Sequence, residues 1–364
     1  MRVLIAPDSY KGTLTSVEVA RALADGWLRV RPLDVVHLAP LADGGEGTLA
    51  AIEAAGGWTR RAARVRDPLG RPIEAAWLAS ADGSRAVVEM AAASGLSRLA
   101  PDELDALAAS SAGTGDLLRC VLDAGIRDVV LGIGGSATSD GGAGMLAALG
   151  AHVSPALDAV DLGLLDARLA GVRVRVACDV SNPLLGPAGA VATYGPQKGA
   201  APADIAVLDE RLAGWADALE AATGRSERDT SGAGAAGGVG FALLCLADRL
   251  VSLELRPGVE LVMEAAGFSA ALAAADLVIT GEGRIDAQTA FGKTALGVAR
   301  RAQAAGVRCI AVGGGVTPDG IATLAAVGAR AVPASDPPLP LADAMAAGAA
   351  PLIACGERMA RQEP

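Results

Sequence analysis

Met1-Arg2-Val3-Leu4-Ile5-Ala6-Pro7-Asp8-Ser9-Tyr10-Lys11-Gly12-Thr13-Leu14-Thr15-Ser16 sets the architecture of this chain. The unbroken apolar run at 3–6 reads as a strand buried on both faces, because a half-exposed strand would alternate. Residues 7–15 are polar and glycine-bearing and read as a loop. Thr15 or Ser16, with Glu18 in the first turn, then caps a helix over 16–29. Val35–Leu38 supplies a second short strand. Strand, loop, helix and strand in that order make a βαβ unit, the repeating element of a parallel sheet.

The far end of the chain reads the same way. Strands at 277–280, 309–312 and 331–332 alternate with helices over Thr294–Ala305 and 320–327. The middle has a different texture. A β-pair at 73–79 and 86–90 turns through Asp82-Gly83, and apolar strands at 128–133 and Arg173–Ala177 each run into a polar, glycine-containing loop. Like ends around an unlike middle predict an α/β fold of two domains, one inserted into the other. Residues 1–66 plus 269–364 form the discontinuous domain and 67–268 the insertion.

Composition narrows the function. Aromatic residues are 2% of the chain, too few for the stacking platforms of a single-stranded nucleic-acid binder. The net charge of −10 comes with no basic run, which argues against nucleic acid and anionic membranes as partners. The apolar stretch 233–247 is broken by glycines and too short to span a bilayer. Five cysteines, at 120, 178, 245, 309 and 355, are odd in number and far apart. They form neither a zinc spacing nor a disulfide framework, and a reducing cytoplasm fits them.

There are 3 lysines against 28 arginines. Lys11, Lys198 and Lys293 each sit beside glycine in a non-periodic stretch. A lysine ammonium is a compact charge on a flexible stem and can follow a moving phosphoryl group as a planar guanidinium cannot. The polar residues gather where apolar runs end: Asp8, Ser9 and Lys11; Asp43 and Glu46; Ser136, Thr138 and Asp140; Asp179 and Asn182; Glu282 and Asp286. In open α/β sheets ligands bind at such carboxyl ends of strands. The densest of these stretches, Gly132-Ile133-Gly134-Gly135-Ser136-Ala137-Thr138-Ser139-Asp140-Gly141-Gly142, can aim backbone N–H groups at an anion.

Common nucleotide and hydrolase motifs are absent. Gly292-Lys293-Thr294 ends like a P-loop, but Ala287 stands where its first glycine belongs. Gly132-Ile133-Gly134 is followed by Ala137 in the place of the third fingerprint glycine. Neither His37 nor His152 lies near a motif, so a Ser-His-Asp mechanism is not expected. Carboxylates, lysines and anion loops remain, and these are the parts of phosphoryl transfer. A nicotinamide-dependent dehydrogenase would want the complete fingerprint. A non-catalytic ligand-sensing module finds no DNA-binding helix or basic patch to support it.

The motifs also resemble the bacterial (type I) glycerate kinase family. The resemblance rests on Ala6-Pro7-Asp8-Ser9-Tyr10-Lys11-Gly12-Thr13, Ala42-Asp43-Gly44-Gly45-Glu46-Gly47-Thr48 and Gly134 through Gly144. It continues in Cys178-Asp179-Val180-Ser181-Asn182-Pro183-Leu184, Gly195-Pro196-Gln197-Lys198-Gly199 and Gly281-Glu282-Gly283-Arg284-Ile285-Asp286. Ser139, Ser181 and Tyr10 depart from the expected asparagine, aspartate and phenylalanine. With serine at 181, any metal role in that loop falls to Asp179.

The resemblance implies a Rossmann-like and a flavodoxin-like domain enclosing a cleft, and ATP-dependent phosphorylation of D-glycerate with Mg²⁺. The favoured product is 2-phosphoglycerate over 3-phosphoglycerate. The protein is expected to be cytoplasmic, a monomer or homodimer, with no nucleic-acid or membrane partner. Asp8, Lys11, Asp43, Asp179 and Lys198 are the catalytic candidates, with Lys11 on the transferring phosphoryl. Asp43 and Asp179 share the metal and base roles, undivided between them. Gly134, Gly135, Ser136, Thr138, Asp140 and Gly141 are expected at the phosphates. Ser9, Glu46, Asn182, Gln197, Glu282, Asp286 and Lys293 are expected at the substrate, with a register-holding role open to Glu282 and Asp286.

Overall fold

A computed structural model describes residues 1–287, 294–337 and 339–364. The chain divides into two compact units, Met1–Ala42 with Ala50–Gly57 and Val262–Pro364, and Asp43–Leu49 with Trp58–Leu261.

The first unit is built on a five-stranded parallel sheet. Its strand order is Ala329–Pro333, Arg308–Val316, Leu277–Ile285, Arg2–Pro7, Val35–Leu38. Val3, Ile5, Leu277, Ile279, Ile310 and Val312 put their side chains into one core with Leu23 and Trp27 of the helix Ser16–Val30. That helix starts as its sequence predicts: Thr15 caps it and Glu18 reaches back to complete the capping box. It packs against Ala350–Gln362 through glycines, since a Cβ at Gly26 would overlap Ile353 O and one at Gly356 would overlap Leu23 O.

Two strands run well past their predicted ends. Leu277–Ile285 continues five residues beyond 280, and Arg308–Val316 continues with it, pairing Glu282 with Gly313 and Arg284 with Gly315. The glycines that suggested a loop are packing requirements. A Cβ at Gly281 would stand 2.5 Å from Val312 O, and one at Gly314 would stand 2.6 Å from Gly283 O.

In the second unit a six-stranded sheet has the order Ser252–Arg256, Arg173–Ala177, Asp128–Gly132, Arg85–Glu89, Pro72–Ser80, Trp58–Arg66. The first four strands are parallel and the last two antiparallel. The predicted pair at 73–79 and 86–90 is present within a residue or two. Its edge partner Trp58–Arg66 was not predicted, because Arg60, Arg61 and Arg64 on an exposed edge mask the strand pattern. Helices Ala112–Asp123, Ala143–Ala148, Pro202–Thr223 and Val239–Cys245 accompany this sheet. All five cysteines are free thiols. Among the described residues no helix is long and apolar enough to cross a membrane.

Candidate active-site residues

The four parallel strands of the second unit end level with one another. Glu89 pairs with Gly132, Gly132 with Ala177, and Ala177 with Arg256. The loops leaving this row are therefore neighbours, and they carry most of the predicted residues.

The segment 43–47 lies across the row. Gly44 has φ +88°, and a Cβ there would overlap that of Ala177, so only glycine fits. Gly44 O accepts a hydrogen bond from Gly134 N–H at 3.2 Å. Asp43 Oδ1 accepts from Gly45 N–H at 3.0 Å, which fixes its turn and leaves the side chain at the exposed edge of the loop. Glu46 is exposed beside it. Glu89, which sequence reasoning missed, supports the segment from beneath. Its carboxylate is buried and accepts from Leu49 N–H at 2.9 Å and from Gly47 N–H at 3.4 Å, at the start of the helix Thr48–Ala55. Burial pushes its pKa up, against the pull of those two N–H groups. A lone polar residue closing the apolar strand 86–90 was the signal that could have found it.

The loop 134–142 has two halves with different duties. In the first, Gly135 has φ +72° and is exposed, and its carbonyl accepts from Leu96 N–H at 2.9 Å. Ala137 N–H donates to Ser94 O at 2.9 Å, so the peptide is stitched to the turn at 94–96. Ser136 and Thr138 are buried, and both are tied to Lys198. The Lys198 Nζ donates to Ser136 Oγ at 2.9 Å and to Thr138 O at 2.7 Å. Burial lowers the pKa of this ammonium to about 7, with Asp140 opposing the shift.

The second half is scaffold. The Asp140 oxygens accept from Ser111 N–H, Ser111 Oγ–H, Ser110 Oγ–H, Gly142 N–H and Gly144 N–H at 2.8–3.4 Å. Gly141 gives its N–H to Gly237 O at 2.9 Å and takes Trp215 Nε1–H on its carbonyl at 2.9 Å. Their hydrogen-bonding groups hold the loop in shape, which leaves the exposed Gly135, between half-buried Gly134 and buried Ser136, as its solvent-facing point.

Asp179 leaves the end of Arg173–Ala177 and accepts from Gly258 N–H at 3.0 Å. Its side chain is exposed, yet the surrounding protein desolvates it enough to raise its pKa, and the charges of Asp43 and Glu260 push in the same direction. Gly258 is pressed between the two aspartate loops, since a Cβ there would overlap Asp43 O and stand 3.0 Å from Asp179 Oδ2. A pair of oxygen donors that repel each other suits a hard dication. Among the described residues no group of three or more His, Cys, Asp or Glu could hold a metal alone. Two carboxylates alone would complete a hard-cation site only with further oxygen ligands from a bound molecule or water. Asn182 spends its amide locally: Nδ2 donates to Ala188 O at 2.7 Å and Oδ1 accepts from Tyr194 O–H at 2.8 Å. Gln197 is exposed in the turn Pro196–Lys198.

The first unit holds the remaining residues. Asp8 follows the strand Arg2–Pro7, its N–H donating to Gly281 O at 2.8 Å. Its carboxylate accepts from Ser9 N–H and from Thr294 Oγ–H, each at 2.6 Å. Tyr10 is buried with its hydroxyl donating to Val312 O at 2.9 Å, which anchors the loop. Burial first, then Cys355 and Glu282, raises its pKa. The anchored Tyr10 leaves Lys11 exposed at the tip, next to Gly12 at φ +80°. Glu282 is buried within its strand, not in the loop the sequence suggested, and Asp286 follows the strand end with Arg284 Nε at 3.1 Å. Lys293 lies outside the described residues. Thr294 and Tyr10 position this loop, a role the sequence did not assign to them.

The protein's relatives carry the same chemistry in their names. The sequence profile of the glycerate kinase family matches residues 3–363. Glycerate kinase of Bacillus subtilis (strain 168) is 43% identical over 357 residues, covering 92% of each chain. Glycerate 2-kinase of Escherichia coli (strain K12) is 43% identical over 333 residues, 88% of this chain and 86% of that one. The crystal structure of a candidate glycerate kinase 2 from Salmonella typhimurium LT2 superposes with a TM-score of 0.84 at 40% identity, covering 100% of this chain and 98% of that one. The chain belongs to the glycerate kinase family.

Proposed function

We propose that this protein transfers the γ-phosphoryl group of ATP to a hydroxyl of D-glycerate, with 2-phosphoglycerate as the product. Membership of the family supports the reaction, and the name of the Escherichia coli relative supports the 2-position. The observation that carries the reading is the row of level strand ends in the second unit. It brings the loop Gly134–Gly135–Ser136, open to solvent at Gly135, together with the Asp43 and Asp179 carboxylates. Phosphoryl transfer asks for positioning and charge compensation rather than covalent catalysis, and those groups supply both.

In this reading the Gly135 N–H and the Ser136 hydroxyl serve phosphate oxygens, while the Gly134 N–H, given to Gly44 O, holds the loop in place. Asp43 and Asp179 would hold Mg²⁺, which would supply charge compensation for the nucleotide phosphates. Whichever of the two is not engaged by metal would receive the hydroxyl proton. Lys11 serves the transferring phosphoryl, and Asp8, Ser9 and Glu282 serve the hydroxy acid. Incubation with ATP, Mg²⁺ and D-glycerate tests the reading, with ADP release followed and the product examined by phosphorus NMR. A phosphomonoester coupled to the C2 proton is the expected result. No ADP release, or a product carrying phosphate at C3, would refute the corresponding half.

A further inference from the structure

Lys198 is buried, 2% exposed, and sits behind the anion loop rather than in front of it. Its ammonium reaches two groups of that loop, Ser136 Oγ and Thr138 O. The backbone holds it there without slack. Gly199, at φ +92°, lets the chain turn against Leu104, where a Cβ would overlap the carbonyl, and a Cβ at Gly237 would overlap Thr138 O from the other side. Lys198 therefore does not present its charge to a substrate. It acts on the ligand through the hydroxyl of Ser136.

The two acceptors respond differently to the lysine's proton. Thr138 O is a carbonyl and can only accept, so one N–H of Lys198 is committed to it in either protonation state. Ser136 is amphoteric. Facing an ammonium, its oxygen must accept, and its own O–H is released to donate elsewhere. Facing a neutral amine, which has a lone pair, the same O–H can turn inward and donate to Nζ. We propose that the protonation state of Lys198 sets the direction of the Ser136 hydroxyl, and that a phosphate-bearing ligand at the 134–136 loop draws one proton onto Lys198 as it binds.

The groups around the ammonium make this exchange feasible near neutrality. The charged side chain whose field reaches it is Asp140, and that carboxylate is held by five donors of its own. Ser136 and Thr138, which accept from the Nζ, carry no ionisable side chain in this range. Desolvation leaves the lysine with a pKa of about 7 in the absence of ligand. A polyanion a few ångströms away favours the charged form, so ligand binding and protonation are reciprocally coupled. Lys198 is thus a positioning residue, and pH enters the nucleotide affinity through it.

The inference rests on the proposed nucleotide reading of the loop, and its test separates the two. Titration calorimetry of the wild-type protein with MgATP at pH 8.0, where the nucleotide phosphates are already ionised, is run in Tris and in HEPES. The difference in apparent enthalpy gives the protons taken up. A lysine with pKa about 7 is about nine-tenths neutral at pH 8.0, so uptake approaches 0.9 proton at most. The KM for ATP should rise roughly 3- to 10-fold from pH 7 to pH 9 with kcat changing less, and Lys198→Arg, permanently charged, should flatten that dependence. Binding without linked proton uptake overturns the inference alone, as does equal uptake in Lys198→Met. No MgATP binding at all overturns the nucleotide reading and the inference together.

Discussion

Gly135→Ala and Gly134→Ala differ by one position and should fail in different ways. At Gly135 a Cβ would meet Ala91 Cβ at 3.4 Å and Glu46 N at 3.8 Å, which is ordinary contact. The variant's cost to folding is therefore only the φ of +72°, about 1–2 kcal/mol for an L-residue. That strain would shift the Gly135 N–H, which the reading aims at a phosphate oxygen. Losing or lengthening one charge-assisted N–H···O bond there costs about 1.5–3 kcal/mol, or roughly 10- to 150-fold in ATP affinity. At Gly134 the obstacle is internal. A Cβ would stand 2.7 Å from Gly45 Cα and 3.0 Å from Gly45 N, backbone that cannot swing aside. Gly134→Ala should therefore push the 43–47 segment off the sheet and lose about 1–3 kcal/mol of stability, with ATP affinity falling as well. Calorimetric titration with MgATP and thermal melting of both variants decide the matter. Wild-type ATP affinity in a folded Gly135→Ala protein would refute the phosphate role and return the whole loop to packing.

Three further outcomes follow from the same geometry. Lys11→Arg keeps the charge but not the compact, mobile ammonium, so kcat should fall roughly 10-fold or more with stability unchanged; wild-type turnover would remove Lys11 from the reaction. Excess EDTA should abolish ATP-dependent turnover, Mg²⁺ or Mn²⁺ should restore it, and Asp179→Asn should raise the Mg²⁺ concentration needed; full activity in EDTA would contradict the oxygen-ligand assignment. Because burial raises the pKa of Glu89 in the folded state, the stability tied to its protonated form is complete below the ordinary glutamate range and is lost as pH rises through the folded value. Glu89→Gln should therefore be less harmful at pH 8 than at pH 4.5 relative to wild type. Denaturant melts at the two pH values that showed the opposite order would exclude a desolvated carboxylate at 89.

Arg2–Pro7 and Asp128–Gly132 were legible because burial on both faces writes an apolar run, and the half-exposed Val35–Leu38 and Arg173–Ala177 because their β-branched valines mark a strand. Val35–Leu38 and Arg173–Ala177 have their predicted bounds, and Arg2–Pro7 and Asp128–Gly132 differ by a residue or two. Trp58–Arg66 was illegible because its solvent face is arginine. The far ends of Leu277–Ile285 and Arg308–Val316 were illegible for another reason: glycine usually signals a turn, and here it permits close contact between strands. The site followed the same pattern. The candidates Asp43, Ser136 and Asp179 stood out because polar residues after apolar runs are conspicuous, and Gly135 because it lies in a glycine cluster. What sequence could not separate was which polar atoms face outward. Asp140, Asn182 and Gly141 sit in the same motifs, yet their groups are consumed by neighbours contributed from 110–111, 188–194 and 215–237.

That division of labour explains the density of motifs in this chain. An anion loop works only if its donors are fixed before the ligand arrives, since ordering them at binding would cost part of the affinity gained. In the second unit the loops are held by Asp140 with its five donors, Trp215 on the Gly141 carbonyl, Glu89 at 47–49, and Lys198 at Ser136 and Thr138. In the first unit Tyr10, bonded to Val312 O, and Thr294, bonded to Asp8, do the same for the loop that carries Lys11. The supporting residues are polar or glycine because they must satisfy or clear backbone groups in tight loops, which makes them indistinguishable in sequence from the residues they support. They differ in the variable a mutation should move. Changing a supporting residue should alter ligand affinity and stability together, whereas changing Gly135 or Lys11 should alter affinity or turnover while the melting curve shifts by little more than the local backbone strain.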